Sequence, residues 1–262
     1  MIFYNSLLLN FEERGKVSGF GVALGYIGSA FALTVLASFL REPSVYLYTA
    51  FLFFLFFLPS ALFIENPKER GFAKFSEILR DKRFVIFLLS YFSLSEVANT
   101  LIAMMGVYLK AVYELENTEI YKIIGFSALG GVLGGILWGI FTDRFGVNRI
   151  YPAGFLNWVL FLFLLYFAGK YFLPFVGLLG GFSLVHLWTT GRVFLINNFP
   201  KETVSLRLSF LSLSERVASS VGVWLWSFFL LLTDDYRLSA LLMVLLPLFG
   251  FLLYVRFFLR WK

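Results

Sequence analysis

Long apolar blocks alternate along this chain with short charged turns. Eight blocks, at 18–40, 45–64, 84–109, 120–141, 151–168, 174–196, 203–232 and 238–258, approach or exceed the about 20 residues a helix needs to cross a bilayer. Backbone N–H and C=O groups in hydrocarbon must bond within their own segment, so the blocks predict helices. Barrel strands would be about half as long. The second, fifth and eighth blocks are dense in Phe and Leu with no charged residue in their interiors, which predicts helices that face lipid. The others carry Gly, Ser or buried polar residues and are expected to face protein or water. The lipid type recurs every third block, a period that implies three-helix repeats. The third to fifth and sixth to eighth blocks form two complete triplets. The first and second form a triplet without its first member.

The longest connection, 65–83, places Phe72, Phe75 and Leu79 at i, i+3 and i+7 with Lys and Arg opposite. That spacing predicts an amphipathic helix on the membrane surface. It divides the chain into two helices (1–64), a linker (65–83) and a six-helix bundle (84–262).

Composition turns this pattern into a fold class. The chain is 60% hydrophobic, with a mean hydropathy of +0.83, more apolar surface than one soluble core can hold. An all-α polytopic membrane protein with eight transmembrane helices follows, with the lipid bilayer as its first partner. The net charge of +6 does not point to nucleic acid, because the charges cluster between the apolar blocks. Fifteen Lys and Arg fall on one side of the blocks and five on the other, with Arg192 and Arg216 inside them. The positive-inside rule then places both termini and the linker in the cytoplasm. There is no cysteine, hence no disulfide, thiolate metal site or cysteine nucleophile. The first eleven residues carry no basic residue ahead of their apolar stretch and do not read as a signal peptide.

Between the fourth and fifth blocks runs Gly139-Ile140-Phe141-Thr142-Asp143-Arg144-Phe145-Gly146-Val147-Asn148-Arg149. Gly139 lets a neighbouring helix come close, and Gly146 permits a chain reversal. Asp143 can pair with a cation or a facing helix N-terminus. Arg144 and Arg149 hold the turn on the cytoplasmic side. The stretch resembles the loop motif G-x-x-x-D-[RK]-x-G-x-[RK]-[RK] of the major facilitator superfamily; Gly139, Asp143, Arg144, Gly146 and Arg149 match and Asn148 departs. Tyr4-Asn5-Ser6-Leu7-Leu8, Glu12 to Gly19 and Gly21 to Gly28 are similar to the fourth-to-fifth helix region of its vacuole-effluxer-like branch. That branch comprises autophagy-linked amino-acid exporters and their prokaryotic relatives. Arg192, Pro200 and 214–222 resemble its tenth-to-eleventh helix region. The resemblance implies equivalents of helices five to twelve of a major facilitator fold, without the first four, in a prokaryotic inner membrane.

Four groups of residues carry candidate chemistry. Glu96, Asn99 and Thr100 share one face of the third block near its middle, where a carboxylate by default marks a substrate or proton pathway. His186, the one histidine, has Ser183 and Thr190 on its face; a packing role and a proton or substrate role both fit. In the seventh block Ser212, Glu215, Ser219 and Gly222 make a polar stripe, with Arg216 pointing elsewhere. Arg192 lies near a block end, within reach of the interface by snorkelling. Glu96, Asn99 and His186 are expected to line one polar cavity, with Glu215 and Arg216 at its cytoplasmic edge. Gly21, Gly25 and Gly28 in the first block and Gly131 and Gly135 in the fourth are expected to bring those two helices into close contact.

The resemblance implies a secondary transporter, or the C-terminal part of one, that moves a small polar solute such as an amino acid outward by alternating access. No cofactor or metal is expected. If transport is proton-coupled, Glu96 is the expected carrier. A separate N-terminal four-helix chain, or a second copy, would complete the cavity. The alternative is a non-transporting membrane subunit or truncated remnant that needs such a partner. An intramembrane enzyme is disfavoured, since the chain has no H-E-x-x-H and no cysteine. No G-x-x-x-x-G-K-[ST] appears, which disfavours an ATP-driven pump.

Overall fold

The computed structural model describes residues 12–31, 44–63 and 75–258. Every element among them is helical: α1 (Arg14–Phe31), α2 (Ser44–Phe63), α3 (Phe75–Arg80), α4 (Lys82–Tyr113), α5 (Asn117–Phe145), α6 (Val147–Phe167), α7 (Leu173–Asn198), α8 (Val204–Thr233), α9 (Tyr236–Leu242) and α10 (Leu245–Leu253), which ends in a π-helical turn, Tyr254–Phe258. Six segments from α4 onward are long and apolar enough to cross a membrane. At 32 residues α4 is about 48 Å long by the helical rise, so its ends reach past the hydrocarbon.

Helix order and packing obey a simple exchange rule. α5 packs on α7 as α8 packs on α4, and α6 packs on α7 as α10 packs on α4. Swapping the triplet α4-α5-α6 for α7-α8-α10 therefore maps these contacts onto themselves, as three-helix repeats require. α1 lies outside this bundle, against α5 and α7. The side chains of Tyr46 to Pro59 in α2 are exposed except for half-buried Leu52, so α2 presents apolar surface all round.

Aromatic side chains fill the core toward the Asp143 end. Phe87 stacks on Phe194 at 4.8 Å between ring centroids, and Tyr151 lies 4.7 Å from Phe194. Arg207 extends between the Phe84 and Phe199 rings, 4.7 and 4.8 Å from their centroids. It pairs with Asp81 at 2.8 Å, and Asp81 in turn caps α4 by accepting from the N–H groups of Arg83 and Phe84. A capped helix end, a cation between two rings and an ion pair thus join α4 to α8.

Three expectations need correction. The eighth block is not one helix: the chain turns at Met243–Val244 between α9 and α10. Pro247 is the cause, because it offers no N–H to the Met243 carbonyl and its ring crowds that group. Bonds tighten to the third residue there, from Met243 N to Ala240 O and Val244 N to Leu241 O. Next, α6 does not face lipid all round. Tyr151, Phe155, Trp158 and Leu162 are buried, while Leu156, Leu160 and Phe167 are exposed. In a membrane both faces of a helix are apolar, so hydropathy does not tell them apart. In the linker, Ile78 is buried and Leu79 exposed, because α3 packs against α4 through Ile78; Phe72 and the side chain of Phe75 lie outside the described residues.

Candidate functional site

The N-terminus of α1 has donors to satisfy, as every helix start does. Asp143, near the end of α5, supplies the acceptors. Its Oδ1 accepts from the Gly15 N–H and its Oδ2 from the Lys16 N–H, both at 2.7 Å. A carboxylate here also meets the positive end of the helix dipole. The two backbones can approach this closely because glycines of one helix meet glycines of the other. A Cβ added to Gly15 would lie 2.5 Å from the Gly139 carbonyl oxygen, and one on Gly135 would lie 2.7 Å from that of Gly19. Ser18 Oγ donates to the Thr189 carbonyl of α7 at 3.1 Å, and Arg14 donates to Asn197 Oδ1 at 2.5 Å. Gly146, at φ +84°, ends α5 in a conformation that suits glycine. Arg144 and Arg149 are exposed beside it.

The α1 half of this crossing differs from expectation. Gly131 and Gly135 do face α1, and Gly131 abuts the Tyr26 ring. Gly25 and Gly28 meet nothing within 4 Å, and Gly21 is exposed. The contacting stripe is Gly15, Gly19, Ala23 and Tyr26, spaced at i, i+4, i+8 and i+11 and therefore on one face. The signal was present as a second small-x-x-x-small pair, but Arg14 and Lys16 depress hydropathy there and moved the expected block start to residue 18.

The buried polar residues divide into separate places. Glu96 is 2% exposed, and neither carboxylate oxygen has a hydrogen-bond partner among the described residues. It is packed against α8, where a Cβ on Gly222 would lie 2.6 Å from Glu96 Oε2. Asn99 bonds back to the Ser95 carbonyl and Thr100 to that of Glu96. His186 is elsewhere, sealed among α5, α6 and α7. Its Nε2 is 3.2 Å from the Ile150 carbonyl and 3.1 Å from Thr190 Oγ1, and Gly154 leaves the space its ring occupies. A third group joins α4, α7 and α8: the Tyr91 hydroxyl donates to Glu215 Oε1, with Arg192 within electrostatic range. Arg216 is exposed.

A cavity of about 500 Å³ occupies the half of the bundle away from Asp143. Gly25 and Tyr26 of α1, Leu101 and Met105 of α4, Ile124 and Ser127 of α5, Trp158 of α6 and Leu184 and Trp188 of α7 line it. The lining is mainly apolar, and Glu96, Asn99, His186, Glu215 and Arg216 take no part in it. The expected single polar cavity is therefore corrected. Glu96 is turned toward Gly222 and His186 toward α6, because in each case a glycine opens room for the side chain inside the helix packing. Arg192 is 9% exposed.

A bundle of apolar helices built as exchanging triplets, closed at one end by a backbone-close crossing and hollow at the other, is a polytopic integral membrane protein of transporter architecture. The chain belongs to the Major Facilitator Superfamily, whose family model matches residues 87–261. An uncharacterised protein of Aquifex aeolicus (strain VF5) is 60% identical over 257 residues, which cover 98% of this chain and 68% of that protein. A crystal structure of a bacterial homologue of the iron transporter ferroportin, in an outward-facing state, superposes with a TM-score of 0.68 at 18% identity. That likeness covers 94% of this chain and 64% of the other, and at this identity it concerns the fold alone.

Proposed function

We propose that the chain forms helices five to twelve of a secondary transporter that works by alternating access. The observation that carries this reading is the asymmetry of the bundle: α1 and α5 meet backbone to backbone at the Asp143 end, while the cavity lies in the opposite half. Such a structure has one side shut and one side hollow, and a contact made largely by glycine backbones can part with few interlocked side chains to separate. The excess of Lys and Arg at the Asp143 end supports a cytoplasmic location for that end and for both termini, in a prokaryotic inner membrane. The cavity would then face outward.

The cargo in this reading is a small solute with a polar group, such as an amino acid, as in the vacuole-effluxer-like branch, and the direction is efflux. Glu96 carries a coupled proton: an ionised carboxylate without a donor is costly at this depth, and a neutral one is tolerated. The bare surface of α2 supports a further set of four helices packed against it, in the same polypeptide, a separate one or a second copy. The same surface supports the competing reading, a subunit that does not transport unless so partnered. Counterflow of radiolabelled amino acids in proteoliposomes, with the N-terminal helices supplied, tests both. Substrate-dependent exchange that needs this chain is expected. Glu96→Gln should keep exchange and lose uphill transport driven by a pH gradient. No exchange by the completed assembly would favour the subunit.

A further inference from the structure

Trp138 and Trp158 are both buried, yet the protein satisfies them differently. Trp138 Nε1 donates to the Phe182 carbonyl at 3.0 Å. Trp158 Nε1 has no acceptor among the described residues, although a buried indole N–H usually finds one. Trp226 shares the lack but stands away from the cavity, whereas the Trp158 side chain borders it. The cavity is the space beside that ring from which an acceptor can come.

The rest of the lining says what kind of acceptor fits. No Asp, Glu, Lys, Arg or His among the described residues belongs to it. Ser29 and Ser127 do, but each spends its hydroxyl proton on its own helix, donating to the Gly25 carbonyl at 3.0 Å and the Ile124 carbonyl at 2.6 Å. Tyr26, Trp158, Phe161 and Trp188 give the cavity aromatic walls, with Trp158 edge-on to Phe161 at 5.7 Å between ring centroids. Glycines leave part of the space: a Cβ on Gly25 would meet nothing within 4 Å, and one on Gly177 nothing closer than 3.5 Å. An apolar cavity of about 150 Å³ takes up benzene, so about 500 Å³ holds roughly two or three rings. An ionised group placed there would lose its water without gaining a partner.

We propose that this cavity binds an uncharged solute with an aromatic body and one carbonyl-type acceptor, which receives the Trp158 N–H. This rests on the transporter reading of the cavity and narrows what this chain's half of the path recognises. A solute that also carries charge has that charge met by the further helices, so the chain alone takes no free amino acid.

Benzophenone, diphenylmethane and 4-benzoylbenzoate share a two-ring body; the second lacks the acceptor and the third adds a charge. Equilibrium dialysis measures their binding to the chain in lipid nanodiscs, with binding to empty nanodiscs subtracted. Benzophenone should bind saturably. Diphenylmethane should bind about fivefold more weakly, the weight of one hydrogen bond, and 4-benzoylbenzoate about tenfold more weakly or worse. Irradiation of bound benzophenone should label the lining, Met105 included. Trp158→Phe keeps an aromatic ring and loses the N–H; it should lower benzophenone to the level of diphenylmethane and leave diphenylmethane unchanged. Should that variant fail to fold, Gly177→Leu decides, since it fills part of the cavity and should abolish both binding and labelling. Undiminished benzophenone binding in the folded variant overturns the site. So do equal binding of all three probes, no benzophenone binding beyond that of empty nanodiscs, and labelling outside the lining. Binding with the expected pattern by a protein whose completed assembly exchanges no solute would leave the site standing and remove the transporter reading; exchange without such binding would remove the site alone.

Discussion

Asp143 accepts the backbone N–H of Gly15 across 128 positions of sequence, at 2.7 Å. Because Lys16 donates to the other oxygen, one carboxylate both caps α1 and clamps it to α5. Removing it should loosen the closed end. Each such charge-assisted bond contributes roughly 1.5–3 kcal/mol, so losing even one shifts the closed-to-open ratio by about ten- to 150-fold. Spin labels at Glu12→Cys and Lys201→Cys in the cysteine-free chain report the separation. Asp143→Ala should add a longer distance component; an unchanged distribution would show that Asp143 does not hold this end.

The crossing should be intolerant of side chains on one stripe and indifferent to them on another. Gly135→Val and Gly19→Val should lower the melting temperature or open the Asp143 end, since even a Cβ on Gly135 comes 2.7 Å from the Gly19 carbonyl oxygen. Gly28→Ala, which meets nothing within 4 Å, should be silent or slightly stabilising, because alanine favours the helix by about 1 kcal/mol. Equal effects from both stripes would contradict the register described.

How much of this was legible in the sequence depended on which physical signal each residue carries. Gly135 and Gly139 declared a contact face because small residues four apart have few other uses in an apolar helix. Gly15 and Gly19 carry the same signal, but Arg14 and Lys16 hid it from hydropathy. Pro247 marked its own break in α9–α10, which the length of the apolar run concealed. The burial of Arg192 was not legible, since whether a long cation snorkels depends on neighbours from α4 and α8. Nor was the apolar cavity: which face of a uniformly apolar helix borders a void is decided by packing. Glu96 was singled out for its depth, but Gly222, which gives it room, lies 126 residues on.

Orientation has its own test. With the Asp143 end in the cytoplasm, Arg144→Cys should resist an impermeant thiol reagent added outside intact cells, and Glu116→Cys and Asp234→Cys should react. All three positions are exposed. Labelling of position 144 with protection of 116 and 234 would invert the topology. Lys74, on the same side as Arg144 by the charge count, lies outside the described residues.

The central claim is that the α1 contact with α5 and α7 is a gate that must part in each cycle. Arg14 and Asn197 meet across it at 2.5 Å, at an exposed edge where Cys substitutions leave the glycine stripe intact. A short bifunctional methanethiosulfonate joining Arg14→Cys to Asn197→Cys should stop counterflow in proteoliposomes, and reduction should restore it. Each single-cysteine variant, treated alike, should keep working. Undiminished exchange by fully cross-linked protein would contradict the gate, and with it the assignment of this end as the side that opens.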